Sequence, residues 1–288
     1  MNRPGRRPQD PLLAFAFLVP SLIVFGVFFF YPLYRLVHLA IHRQNLTGTQ
    51  ERYVGPSQLI DTLTGEEFFA GLRITMTYVA LTVPIGLVLG LLLAVAAHRR
   101  LRGIRIFQLI FSSTIASSVA VASVVFLVLI NPSVGYFGNV GFLSLNDPSS
   151  ALRGVALSSI WQNLGLTFVI LLAALQALPD DVMEAATLDG FGPVRRLFRV
   201  TLPLLGPTLL FLVVVLVIFA FQAFAQIDIL TEGGPAHSTE TLVFKIVENR
   251  DPAEISRGAG LALGLFGITL LVTLLQFRLL ERRVHYGR

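Results

Sequence analysis

Six stretches of the chain, each longer than 20 residues, are almost wholly apolar, and polar or charged segments separate them. They cover about residues 12–37, 74–97, 104–130, 155–178, 207–230 and 258–280. A helix of that length crosses a hydrocarbon core about 30 Å thick. The pattern predicts an all-α, polytopic membrane protein with six transmembrane helices. Residues 1–11 and 281–288 form its terminal segments, and 72–280 its main body. The first run is too long for the apolar part of an ordinary signal peptide, and no small-residue cleavage site follows it. Of the connecting segments, 131–154 is dense in Gly, Pro, Asn and Ser and reads as turns. The segment after residue 230 opens with a "GGP" turn and continues "STETLVFKIVE", which reads as a short helix on the outer membrane face.

Composition agrees with this reading: 54% of residues are hydrophobic and 14% charged, against roughly 25% charged in soluble domains. The net charge of +5 does not mark a nucleic-acid protein, because the basic residues lie in short clusters beside the apolar runs. Those clusters carry topology instead. One side of the membrane receives 14 arginines: Arg3, Arg6, Arg7, Arg99, Arg100, Arg102, Arg105, Arg195, Arg196, Arg199, Arg278, Arg282, Arg283 and Arg288. The other side receives 8 basic residues, spread over longer loops that include 38–73. The positive-inside rule then places both termini and segment 179–206 in the cytoplasm.

Several kinds of chemistry drop out. With no cysteine there are no disulfides, thiolate nucleophiles or Cys-bound metals. Lys245 is the single lysine, and it stands in "TLVFKIV" rather than in a G-x-x-x-x-G-K-[ST] loop, so the chain has no phosphate cradle for ATP. His38, His42, His98, His237 and His285 are scattered near run ends without metal-binding spacing. Neither a catalytic residue nor a metal ligand is assigned. There is no internal repeat of the kind many secondary transporters carry.

Segment 179–206 is where chemistry concentrates. Asp181 and Glu184 have the spacing of a capping box in carboxylate form, and the helix they open reaches Gly190. Val182, Ala185 and Ala186 would form its small apolar face. A second short helix starts at Pro193, with Val194, Leu197 and Phe198 on one side and Arg195, Arg196 and Arg199 on the other. Pro203 and Pro207 break the pattern before the fifth run. On physical grounds alone such a segment is either a plain connector or a surface held by another protein.

The residues decide more. E-A-A at 184–186, three residues, Gly190, nine residues and then "VTLP" resembles the signature of the permeases of binding-protein-dependent ABC importers, with Val200 where isoleucine is usual. "YPLYRLVHLAI", "SSIWQNLGLTFVILLAALQALP" and "LTEGGPAHSTETLVFKI" are similar to the carbohydrate-type members. "NPSVGYFGN" and "QFRLLERRVHYGR" are similar to the A-type permease of glycerol-3-phosphate and glycerophosphodiester importers. The resemblance implies a type I importer permease fold, with Glu184, Ala185, Ala186, Asp189 and Gly190 in a coupling helix that docks on a cytoplasmic ATPase. It further implies a second homologous permease, an ATPase dimer carrying the ATP–Mg, an external solute-binding protein, surrounding lipid, and no cofactor in this chain.

For the solute path, polar residues inside the apolar runs are the candidates: Asn163 beside Gln162 in the fourth, and Gln222, Gln226 and Asp228 in the fifth. Each has a second reading as an interhelical hydrogen-bonding group, and Trp161 as an interfacial anchor. Glycines in "GLVLGLLLA" and "GAGLALGLFG" would let helices approach closely. An ion-coupled transporter is the competing class, but the runs lack the buried carboxylates and histidines that carry a coupling ion. A membrane enzyme would need a clustered nucleophile or metal set, which the sequence does not offer.

Overall fold

The computed structural model describes residues 10–98, 103–131, 133, 135–138 and 140–280. Residues 1–9, 99–102 and 281–288, which carry most of the basic clusters and all of the expected terminal segments except residues 10 and 11, lie outside the described residues. The molecule is helical, and among the described residues four helices are long and apolar enough to cross a membrane, or up to six spans when each of two sharply bent pairs counts as one.

The first span is α1 (Asp10–Phe25) and α2 (Tyr31–Ile41), joined by a wide π-type turn at Gly26–Phe30. None of its apolar window is buried within the chain. Only its far end packs, where α2 meets α14 and α3. A small antiparallel hairpin follows, β1 (His42–Gln44) against β2 (Glu51–Tyr53), with His42 opposite Tyr53. This is the one departure from an all-helical chain among the described residues.

After α3 (Ser57–Thr64), α4 (Glu66–Ala97) begins eight residues ahead of the apolar run expected from residue 74. Glu66 and Glu67 stand in its first turn, where carboxylates favour a helix N-terminus. The third run is not a straight helix. It is α5 (Ile104–Ser112), a 3₁₀ turn at Ser113–Ala116 and α6 (Val119–Ile130), bent by 107°. The hydroxyls explain the break: Ser112 donates to the Gln108 carbonyl and Ser113 to that of Ile110, both at 2.7 Å. Such side chains compete for the carbonyls that would continue the helix. Ser118 then caps α6, accepting from the Val121 amide.

α7 (Ala151–Gln176) is the central helix and packs along α4 for most of its length. Close approach is permitted by Gly90, since a Cβ there would collide with Thr167. Gly264 in the last helix serves the same purpose against Phe68, whereas Gly86 and Gly267 have open space around them. The chain next forms α8 (Asp180–Leu188), α9 (Pro193–Arg196), a π-type turn at Leu197–Thr201 and α10 (Leu202–Leu204). The Pro193–Leu204 stretch then meets α11 (Gly206–Phe221), which carries the fifth run, at a 71° bend at Leu205. It breaks again before α12 (Ala225–Thr231). The chain closes with α13 (Leu242–Glu248) and α14 (Ile255–Leu280).

Two apolar clusters run along α7. One joins Val155 to Phe126, Leu216, Phe221 and Ile227, and the other joins Phe168, Leu171 and Leu175 to Ala94, Leu205 and Leu212. A third, at the end away from α8, gathers Phe68, Leu242 and Leu261. The "STETLVFKIVE" helix is therefore not free on a surface: Leu242 is fully buried, and its amide donates to Thr75 Oγ1 at 2.9 Å.

Candidate functional site

Two regions interrupt the apolar packing, at different depths. The first is α8 with its following turn. The helix begins at Asp180 with Pro179 as its N-cap and no side-chain cap bond, so the expected Asp181/Glu184 capping box does not form. Instead Asp180 and Asp181 sit in the first turn and stabilise the helix through its dipole. The other end is a Schellman closure: the Gly190 amide donates to the Thr187 carbonyl and the Phe191 amide to the Ala186 carbonyl, each at 3.0 Å. Gly190 holds φ +73°, a conformation that side chains rarely adopt. Arg196 donates to Thr187 Oγ1 at 3.1 Å, and the Arg195 guanidinium lies 4.3 Å from the centroid of the Phe191 ring. These contacts hold α9 against α8 and give the projection a defined shape.

Glu184, Ala185, Asp189 and Gly190 are exposed, while Ala186 is buried against its own chain. The two alanines therefore do not share one free face. Leu188, which the sequence reading passed over, is 89% exposed beside them. The expected Val194/Leu197/Phe198 face is divided as well. Val194 and Phe198 point outward, and Leu197 lines a crevice with Val95, Leu178 and Met183. The π-type turn at Leu197–Thr201 adds a residue to the turn and shifts the register.

The second region is a cavity of about 430 Å³ lined by α4, α7, the start of α6 and the break between α11 and α12. Its polar lining comes from Tyr78, Thr82, Ser159, Gln162, Asn163, Gln222 and Gln226, and its apolar lining includes Val83, Leu216, Phe219 and Phe224. Of the four residues predicted for the path, the structure brings Asn163, Gln222 and Gln226 together here. Asp228 is exposed in α12 and does not line the cavity. Gln222 and Gln226, both in the fifth apolar run, do not lie on one continuous helix, because residues 222–224 separate α11 from α12.

Hydrogen bonds pre-arrange this lining. Gln226 Nε2 donates to Gln162 Oε1 at 3.3 Å, bridging α12 and α7. Asn163 Nδ2 donates to the Ser159 carbonyl at 3.0 Å. Tyr78, fully buried, shares a short hydroxyl–hydroxyl contact with Ser159, which ties α4 to α7. The Tyr78–Ser159 pair was missed in the sequence. Its only signal there is spacing: Tyr78 with Thr82, and Ser159 with Asn163, place polar groups four apart inside apolar runs.

At the end of the molecule opposite α8, residues 231–241 form a tightly bonded loop. Thr231 and Thr239 share a hydroxyl contact of 2.8 Å, and Thr239 Oγ1 donates to the Gly234 carbonyl at 2.9 Å. Glu240, nearly buried, pairs with Lys245 and His237. Burial raises its carboxyl's pKa, but hydrogen bonds and charge from Lys245 and His237 outweigh that and hold it below its ordinary value. Among the described residues no group of three or more His, Asp or Glu is arranged to hold a metal ion.

Comparison with known proteins places these features. Residues 86–286 match the family model described as "Binding-protein-dependent transport system inner membrane component". The chain is 34% identical over 282 residues to the sn-glycerol-3-phosphate transport system permease protein UgpA of Yersinia enterocolitica, covering 95% of this chain and 96% of that one. It is 33% identical over 287 residues to the protein of the same name from Agrobacterium fabrum, covering 96% and 98%. In fold it is similar to a chain of a bacterial alginate ABC transporter crystallised with an alginate pentasaccharide-bound periplasmic protein. That match has a TM-score of 0.82 at 20% identity and covers 98% of this chain and 100% of that chain. A chain of the MetNI methionine ABC transporter in an inward-facing conformation matches with a TM-score of 0.54 at 14% identity, covering 76% and 94%.

Proposed function

Because this chain belongs to the family of binding-protein-dependent transport system inner membrane components, we propose that it forms one half of an import pathway for sn-glycerol 3-phosphate, a glycerophosphodiester or a related polyol phosphate. A second homologous permease supplies the other half, an external binding protein delivers the solute, and a dimeric cytoplasmic ATPase holding ATP–Mg supplies the energy. Both termini and α8 face the cytoplasm in this reading. The substrate class rests on the relatives named for sn-glycerol 3-phosphate over nearly the whole chain.

The observation that carries the mechanism is the shape of α8. It projects Glu184, Ala185, Leu188 and Asp189 outward while Ala186 and the crevice behind it join it to the ends of α4 and α7. A partner gripping the outer face moves those two helices, and α4 and α7 are the walls of the cavity. ATP-driven movement of the ATPase thereby opens the cavity to one side or the other. The chain itself performs no hydrolysis.

One observation favours a second reading, a neutral sugar: every residue that lines the cavity is uncharged. Purifying the tagged chain gently from its host tests both. Recovery of an ATPase, a second permease and a binding protein that takes up glycerol 3-phosphate supports the proposal. A binding protein that takes up only neutral sugars selects the second reading, and a chain recovered alone in several mild detergents overturns both.

A further inference from the structure

An anionic phosphate ester and an uncharged cavity stand in tension. Desolvating a phosphate without a cation or an array of donors is costly, and the lining of the cavity holds neither Arg nor Lys. The lining does hold four carboxamides, from Gln162, Asn163, Gln222 and Gln226. A carboxamide offers one acceptor oxygen and two donor hydrogens, which matches a hydroxyl that both donates and accepts. On the polyol phosphate reading above, we infer that this chain reads the uncharged hydroxyl end of the solute through these carboxamides, with the phosphate directed away from it toward the second permease.

The Gln162–Gln226 pair is the centre of that reading. Its 3.3 Å bond is longer than the usual 2.9–3.0 Å, so a solute hydroxyl can replace it at little cost. The bond also joins α7 to the short helix after the break, so the arriving hydroxyl becomes the new link between two elements. Gln222, exposed at the break, supplies a second contact from the same side. Asn163 is steadied by its bond to the Ser159 carbonyl, and Tyr78 steadies Ser159 from α4. Tyr78 is a positioning residue, since its hydroxyl is buried and already engaged.

The test uses the whole importer reconstituted in liposomes with its binding protein saturating. Maximal uptake is measured for glycerol 3-phosphate, for glycerophosphocholine, and for propyl phosphate, which lacks both hydroxyls. Gln226→Met and Gln162→Met are expected to lower uptake of the first two about 10-fold and equally, and uptake of the third less than 2-fold. That selectivity follows from losing a polar partner for a hydroxyl. Membrane recovery and co-purification with the ATPase should match those of the native importer, which a merely misfolded variant would not allow. Gln222→Ala, at an exposed position, repeats the test without a risk to folding. Equal losses for all three solutes overturn the inference, as does a loss for the monoester that the diester escapes. A native importer that carries none of the three overturns the substrate reading itself, which separates the two failures.

Discussion

The α8 projection and the cavity both interrupt an apolar chain with polar residues, but they are built in opposite ways. Residues 179–206 are contiguous, and their shape is set locally by a helix opening, a Schellman closure at Gly190 and two arginines that brace the turn. The cavity is assembled from short groups of residues on α4, α7 and the break between α11 and α12, as far apart as Tyr78 and Gln226, and these groups meet only when the spans pack. A site made by local rules leaves its mark in a short motif, and one made by tertiary convergence does not. The exposure differs in the same direction: the projection leaves most of its side chains exposed, while the cavity satisfies most of its polar groups internally.

The largest effects are expected at the projection. Gly190→Pro demands φ near −65° where the chain holds +73°, and it removes the amide that donates to Thr187. Insertion should be retained and ATP-driven uptake abolished, as measured by membrane recovery alongside transport. Glu184→Lys should do the same by reversing charge on the exposed face. Gly190→Asn is expected to keep activity, because Asn tolerates the left-handed region and open space surrounds the position. If the proline variant transports normally, the turn has no coupling role.

Inside the membrane region, stability should respond before coupling does. Gly90→Val forces a side chain into Thr167 and is expected to cost about 1–3 kcal/mol, read as a lower thermal midpoint in detergent. Gly86→Ala, with nothing within 4 Å, should leave the midpoint unchanged. Equal midpoints for the two would show that α4 and α7 do not pack as described. Tyr78→Phe leaves Ser159 without its partner and should cost about 1–3 kcal/mol. A double variant with Ser159→Ala should recover part of that loss, and full additivity would argue against the pair.

The smallest effect belongs to the loop at the opposite end. Glu240 titrates below its ordinary value of 4.5, so its contribution to the loop is complete above that value and disappears as the pH falls through the lower folded one. Amide exchange in residues 237–246, corrected for its intrinsic rate, should hold steady at neutral pH and rise only in acid. Glu240→Gln should show the raised exchange at every pH.

Legibility followed the same division. The six apolar runs, the turn-rich 131–154 segment and the Pro193 helix start were open to reading, because length, composition and proline act locally. The 107° bend in the third run was not, although its cause stands in "SSTIASS", since apolar composition hides a break that hydroxyls make. Nor was the short hairpin in segment 38–73, whose three-residue strands are too brief to show alternation. Asn163, Gln222 and Gln226 were found as polar residues in apolar runs, while Tyr78 and Ser159 were passed over because hydroxyls are ordinary within such runs. Asp228 drew notice by its charge and proved to lie outside the cavity. Leu188 was passed over because an exposed leucine is indistinguishable from a buried one in sequence.

The absence of cysteine from the sequence makes the central claim directly measurable. Ala185→Cys and Ala186→Cys place single thiols side by side, one exposed and one buried against the chain. In membranes containing the assembled importer, a short thiol-to-amine cross-linker should join residue 185 to a cytoplasmic ATPase and leave residue 186 unreacted. Residue 185 remaining free, or joining only lipid-exposed or external proteins, would contradict the account of α8 as the handle through which ATP hydrolysis moves the cavity.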